Sequence, residues 1–242
     1  MWDNDVLLRN IANTLLASCL IAVLAGTGYY LVNLPGVFPL RNVSLDTAPQ
    51  NVMAEQVLSV LRTEVQGNLI TVDIDRLRRS LEQLPWVRSV NIRREFPDRL
   101  AVQIEEHQVL ARWNGSGLVN RQGEVFAADS EQALPNFIGP EGESAEVTQR
   151  YEDFSRQLDT LDLQATQLVL SPRHAWQIRL SNGMVLELGR EEVQQRLERF
   201  VAVYPYSLQT EDKGRKTEGS VAYVDLRYRN GFSVRRAASD KG

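Results

Sequence analysis

The chain has 242 residues, 43% hydrophobic and 24% charged, with a net charge of −4. Its 27 basic residues are interleaved with 31 acidic ones, which argues against the clustered Lys/Arg surface that a nucleic-acid partner requires. A single cysteine, Cys19, excludes an internal disulfide and a thiolate metal site.

Ile11 to Val32 carries no charged residue over 22 positions. At about 1.5 Å rise per residue, such a helix spans a hydrocarbon core of roughly 30 Å. Tyr29 and Tyr30 suit an interfacial belt at its far end. A cleaved signal peptide fits less well, because the leading MWDNDVLLRN is acidic where that signal needs a basic segment. The reading is a cytoplasmic segment over 1–10, a transmembrane helix over 11–32 and an exported remainder. A linker over 33–39 follows, broken by Pro35, Gly36 and Pro39.

Residues 40–108 show a strand–helix–helix–strand–strand order. Leu40 to Leu45 reads as a short strand, and Val52 to Glu64 as a helix with Val57, Leu58 and Leu61 on one face. Asp73 is placed to cap a second helix carrying Ile74, Leu77, Leu81 and Leu84. Val90 and Ile92 form the apolar face of the next strand. Phe96-Pro97-Asp98-Arg99 turns the chain, and Leu100, Val102 and Ile104 alternate in the return strand. The result is a small three-stranded α+β module.

Residues 109–236 are written mostly in hairpins. Asn114-Gly115, Asn182-Gly183 and Asn230-Gly231 are candidate type I′ turns, which need positive φ at both central residues. Trp176, Ile178 and Leu180 alternate before the second of these turns, and Met184, Leu186 and Leu188 after it. Val147, Tyr151, Phe154, Leu158 and Leu161 mark one helix. Val193, Leu197, Phe200, Val201 and Tyr204 mark another, with Pro205 expected to stop it. Val221 to Arg235 reads as a final hairpin, and 237–242 as a flexible polar tail.

Three stretches carry a resemblance: LPWVRSVNIRREFPDRLAVQIEEHQ (Leu84 to Gln108), AWQIRLSNGMVLELGR continuing into RLERFVAVYP, and YVDLRYRNGFSVRR (Tyr223 to Arg236). With the apolar N-terminal segment they resemble the FtsQ/DivIB family of bacterial cell-division proteins. The resemblance implies an α+β fold: a transmembrane helix, a POTRA domain over 40–108 in β-α-α-β-β order, and a mixed β-sheet domain with helices over 109–236. It implies an inner-membrane, single-pass divisome scaffold at the septum, with its C-terminal region in the periplasm. Its partners would be the periplasmic parts of FtsB and FtsL, with other division proteins meeting the POTRA domain. POTRA modules also serve envelope assembly, so an assembly accessory is the alternative reading.

The terminal strands should leave an edge open to a partner strand, with Arg227 offering a fork to a carboxylate and Tyr228 an apolar area with a polar tip. The resemblance implies partner contacts at Arg173, Arg227, Tyr228 and Gly231. Arg236 stands where some relatives carry an aromatic residue. Charge reversal at Arg227 is expected to leave folding nearly unchanged.

No catalytic, cofactor or metal residues are assigned. His107 and His174 lack a His or Cys neighbour at ligand spacing, and Gly115-Ser116-Gly117 is not a nucleophile elbow. Glu105-Glu106 and Glu191-Glu192 are adjacent, so their side chains diverge. A membrane-anchored enzyme remains a lesser alternative, distinguished by a concave site with convergent polar groups.

Overall fold

The computed structural model describes residues 5–32, 34, 36–46, 49–208, 221–229 and 231–236. Asn33, Pro35, Asn230 and the polar tail from Ala237 therefore lie outside the described residues. The chain divides into two compact units, one ending at Glu106 and the other beginning at His107.

In the first unit, α1 (Asp5–Val32) begins ahead of the expected start at Ile11. It is long and apolar enough to cross a membrane, and its side chains from Leu7 to Leu31 are all exposed. Then come β1 (Asn42–Leu45), α2 (Ala54–Glu64), α3 (Ile74–Glu82), β2 (Val87–Glu95) and β3 (Arg99–Glu106). The three strands order as β1-β3-β2, with β1 parallel and β2 antiparallel to the central β3.

Periodicity explains the packing. Val57, Leu61, Leu77 and Leu81 bury one face of each helix against Val90, Ile92, Leu100, Val102 and Ile104. Leu58 was expected on that face but is 46% exposed. One residue along a helix turns the side chain by about 100°, away from its neighbour's face. Val87 joins the core although it is out of phase with Val90 and Ile92, because the β2 register shifts between Val87 and Ser89. Asp73 caps α3, its Oδ1 accepting the Arg76 N–H at 2.9 Å, an interaction worth about 1 kcal/mol.

The second unit contains β4 (Val109–Trp113), β5 (Gly117–Asn120), β6 (Val125–Phe126), β7 (Asn136–Ile138), α4 (Ser144–Leu158), β8 (Ala165–Leu170), β9 (Trp176–Leu180), β10 (Val185–Gly189), α5 (Val193–Ser207), β11 (Val221–Asp225) and β12 (Ser233–Arg236). Among the described residues the strands form one mixed sheet, ordered β12-β11-β10-β9-β8-β7-β4-β5-β6. β7–β8 and β10–β11 are parallel pairs. Parallel neighbours need a crossover, which α4 supplies for the first pair and α5 lies on for the second. The two helices touch each other, and Phe137, Phe154, Trp176, Leu186 and Phe200 fill the core. Phe154 meets Trp176 edge-on at 6.0 Å.

Several local expectations are corrected. Asn114 and Gly115 have φ of 49° and 75°, as a type I′ turn requires. At Asn182-Gly183 only Gly183 has positive φ, 87°. The Gly183 N–H donates to Leu180 O at 2.9 Å and the Leu180 N–H to Met184 O at 2.8 Å, the pattern of a three-residue loop closed by a glycine bulge. The third candidate turn, Asn230-Gly231, includes Asn230 and lies outside the described residues. Pro205 lies inside α5, which continues to Ser207. The missing N–H falls in the last turn, and the Leu208 N–H still closes onto Tyr204 O at 3.0 Å.

Candidate protein-binding edge

β12 stands at one end of the sheet order, and all four of its residues are exposed. It pairs antiparallel with β11 from Val221↔Arg236 to Asp225↔Ser233. A strand so placed presents backbone N–H and C=O groups to an incoming chain. Its shortness and its arginines restrict indiscriminate pairing. The Arg235 guanidinium also lies 4.8 Å from the centre of the Tyr223 ring.

β11 ends at Asp225, so Arg227, Tyr228 and Gly231 sit in the connection between β11 and β12, not in a strand. The strand expected to run on to the Asn230-Gly231 turn ends at Asp225, which turns the backbone. Its Oδ1 accepts the Arg227 backbone N–H at 3.0 Å and Arg227 Nε at 2.9 Å, while Oδ2 accepts Arg227 Nη2 at 2.6 Å. The fork expected for a partner is thus committed to a carboxylate two residues away.

This pair has a buried and an exposed end, with side-chain exposures of 11% for Asp225 and 56% for Arg227. Hydrogen bonding from the Arg227 guanidinium holds the Asp225 carboxyl below its ordinary range, against the opposing effect of burial. The same hydrogen bond raises the Arg227 pKa. Burial, with Glu187 and Asp225 nearby, raises that of Tyr223. The stem of Arg227 crosses Gly189, where an added Cβ would lie 3.1 Å from Arg227 Cγ.

The rest of the connection is held at intervals. Leu226 is buried and donates its N–H to Glu187 O at 2.9 Å, and Arg199 Nη1 donates to Arg229 O at 2.5 Å. Tyr228 is 58% exposed between these anchors. Gly231 is exposed, with open space where a Cβ would project. An apolar hollow of about 320 Å³ lies between α5 and this segment, its walls including Val203, Leu226 and Phe232.

Arg173 is exposed in the tight turn joining β8 to β9, where the Ala175 N–H donates to Ser171 Oγ at 3.0 Å. Trp176 pairs with Gly189, the glycine beneath Arg227, so Arg173 and Arg227 lie toward the same end of the sheet. A second hollow beside Arg227 is lined by Ala175, Glu187, Arg190 and Arg196 together with Gly189 and Arg227. The pairing of Asp225 with Arg227 is the element missed in the sequence. Their i, i+2 spacing on one face of an extended segment was its visible signal.

Of the groups weighed for catalysis, His107, Glu105 and Glu106 have structural partners. His107 stacks on Phe126 at 4.1 Å and its Nδ1 lies 2.9 Å from Asn120 Nδ2. His174 occupies the β8–β9 turn with φ of 56°. Ser116 belongs to the β4–β5 turn. Glu105 bonds Arg88 at 2.6 Å, whereas Glu106 accepts the backbone N–H groups of Asn51 and Val52 at 3.0 and 2.9 Å. Among the described residues there is no group of three His, Cys, Asp or Glu side chains placed to hold a metal.

Comparison with known proteins accounts for both units. Residues 38–107 match the FtsQ-type POTRA domain, and residues 111–227 match the family described as cell division protein FtsQ/DivIB, C-terminal. A cell division protein FtsQ from Burkholderia pseudomallei is 39% identical, covering 100% of this chain and 99% of its own length. The namesake from Nitrosospira multiformis is 38% identical, covering 97% and 99%. That from Neisseria gonorrhoeae is 33% identical, covering 98% and 96%.

Proposed function

Since this chain belongs to the FtsQ/DivIB family of bacterial cell-division proteins, we propose that it is a divisome scaffold whose β12 edge takes up a strand from the periplasmic part of FtsB. In this reading α1 anchors it as a single-pass inner-membrane protein at the septum, with 1–10 cytoplasmic and the remainder periplasmic. FtsL joins the same complex, and the POTRA domain is left for other division proteins. The chain works by holding partners, not by catalysis.

The observation that carries the reading is the exposed terminal strand at the sheet margin, reached through a segment that displays Tyr228. Backbone pairing supplies affinity in such an arrangement, and neighbouring side chains supply selection. Tyr228 brings apolar area with a hydroxyl tip. Arg227, more than half exposed, keeps outer N–H groups for a partner carboxylate while its inner edge stays on Asp225. Arg173 and Gly231 complete the surface, the glycine by leaving room for close backbone approach.

The test is binding of the full-length chain in detergent to the periplasmic segment of FtsB, for the natural protein and for Tyr228→Ala. An aromatic anchor of this kind is worth about 2 kcal/mol or more, roughly a thirty-fold loss of affinity on truncation. The melting curve should not move. Equal binding by both proteins would place the partner elsewhere, and loose binding to many unrelated strands would favour the envelope-assembly reading.

A further inference from the structure

The first unit carries an exposed apolar tip beside the end of α1. Phe96, at the β2–β3 turn, is 64% exposed, and Phe38, in the approach to β1, is 39% exposed. Their rings meet edge-on with centroids 5.9 Å apart. Ile70, 37% exposed, lies in the loop between α2 and α3, whose Leu69 N–H donates to Phe38 O at 2.9 Å. Isolated apolar side chains on a surface need no explanation, but a cluster of aromatic and aliphatic ones does.

Two observations say what covers this cluster. The first is its level relative to α1. The uncharged run Ile11 to Val32 is about 33 Å long as a helix, against a hydrocarbon core of roughly 30 Å, so Val32 falls at the boundary of the headgroup zone. Asn68 Nδ2 donates to Val32 O at 2.5 Å. That bond fixes the 68–70 loop at the same level, two residues from Ile70. Tyr29 and Tyr30, 76% and 66% exposed, mark the same boundary from within the helix.

The second is the backbone of Phe38, which has φ of 55°. A bulky residue in the left-handed region is an outlier held there by its surroundings. Here that conformation accompanies a ring placed against Phe96 with a large part of its surface outward. Arg41 and Arg99 are exposed beside the tip, the Arg41 N–H donating to Asp98 O at 3.0 Å. Glu95 and Asp98 offset the charge of Arg41 and Arg99. Arg94, whose Nη2 donates to Ile70 O at 3.3 Å, leaves a single net positive charge at the tip, so apolar insertion is the main contribution to the contact.

We propose that Phe38, Ile70 and Phe96 form a lipid-contacting tip that seats this unit in the headgroup zone of the bilayer that α1 crosses. The unit is thereby oriented on the membrane and not merely tethered to it. This inference rests on the anchoring role given to α1. Aromatic and aliphatic side chains at that depth bury their surface without removing backbone groups from polar partners.

The test uses the full chain in vesicles of phosphatidylethanolamine and phosphatidylglycerol, with a bimane on a single cysteine and nitroxide-bearing lipids as quenchers. Three positions are compared: Phe96→Cys and Gln83→Cys, each with Cys19→Ser, and the native Cys19. Gln83 is exposed in the turn between α3 and β2, and β2, about 26 Å long at strand rise, runs from that turn to the tip. Shallow nitroxides should quench the probe at 96 several-fold more than the probe at 83, and deep nitroxides should quench the probe at 19. Quenching at 19 with 96 behaving like 83 would overturn the proposal while leaving α1 as an anchor. A blue-shifted probe at 96 that lipid nitroxides do not quench would mean a protein covers the tip, which also overturns it. No quenching at 19 would remove the anchor and the proposal together.

Discussion

In the first unit Arg94 holds the 69–72 loop through backbone carbonyls, donating Nε to Leu69 O at 2.7 Å and Nη2 to Val72 O and Ile70 O at 3.0 and 3.3 Å. In the second, Arg227 holds the 226–229 segment through a carboxylate, with bonds of 2.9 and 2.6 Å to Asp225. Both are charge-assisted, multidentate attachments. They differ in what happens when conditions change. A peptide carbonyl keeps its acceptor character at any pH, whereas a carboxylate loses its charge on protonation. The loop beside the end of α1 is therefore fixed permanently, and the segment beside the β12 edge is held by a bond that a proton or a competing carboxylate can weaken.

The largest effect expected from breaking this symmetry is at Arg94. Arg94→Ala leaves carbonyls in partly buried surroundings without their charged donor, at a cost of about 1.5–3 kcal/mol. Arg94→Lys should recover only part of it, because a single ammonium lacks the planar fork that reaches several acceptors. Urea unfolding of the three proteins measures both. A loss below about 0.5 kcal/mol would mean water replaces the arginine at these carbonyls and that the attachment is not structural.

Next comes Gly189, beneath the other arginine. Its φ is 74°, and an added Cβ would lie 2.9 Å from Arg196 Nη1 and 3.1 Å from Arg227 Cγ. The two side chains can move aside, so backbone strain dominates and Gly189→Ala should cost about 1–2 kcal/mol. The displacement should also weaken the Arg227 N–H bond to Asp225, seen as faster amide exchange at Arg227 than in the natural protein. Unchanged exchange there would uncouple Arg227 from the sheet below it.

Which of these features the amino-acid pattern reveals depends on how local each one is. Asp73 and the Leu77–Leu81 face announce α3 without help from distant residues, and the alternation from Trp176 to Leu188 announces β9 and β10. Leu58 misleads because an extra leucine beside a buried valine widens the apolar stripe without joining it. β6 and β7, with two and three residues, are too short to show a period. The parallel pairings β4–β7 and β10–β11 depend on long connections and have no local signal. At the binding edge, the residue types at 173, 227 and 228 were legible, and so was the terminal hairpin. The end of β11 at Asp225 was not, because it depends on a side-chain bond and not on hydrophobic period. Nor was the placement of Arg173 and Arg227 toward the same end of the sheet, which follows from the Trp176–Gly189 pairing. The expectation that charge reversal at Arg227 leaves folding nearly unchanged changes accordingly, since it would set two acids against each other at a buried carboxylate.

The smallest effect separates the two attachments most cleanly. In Asp225→Asn one oxygen can still accept from the guanidinium, but the amide group now opposes the second donor. The expected loss is about 1 kcal/mol near neutral pH, moderated by the exposure of Arg227. Asp225 is held below its ordinary pKa in the folded chain. Its contribution is therefore complete above the unfolded value of about 3.9 and disappears as pH falls through the lower folded value. Measured from pH 7 downward, the stability gap between the natural protein and Asp225→Asn should hold steady to about pH 4 and then close. The gap for Arg94→Ala, whose acceptors are peptide carbonyls, should show no comparable closure in that window. If the two gaps fell together, general acid unfolding would explain both. The segment beside β12 would then be held by its backbone contacts at Leu226 and Arg229, not by the carboxylate.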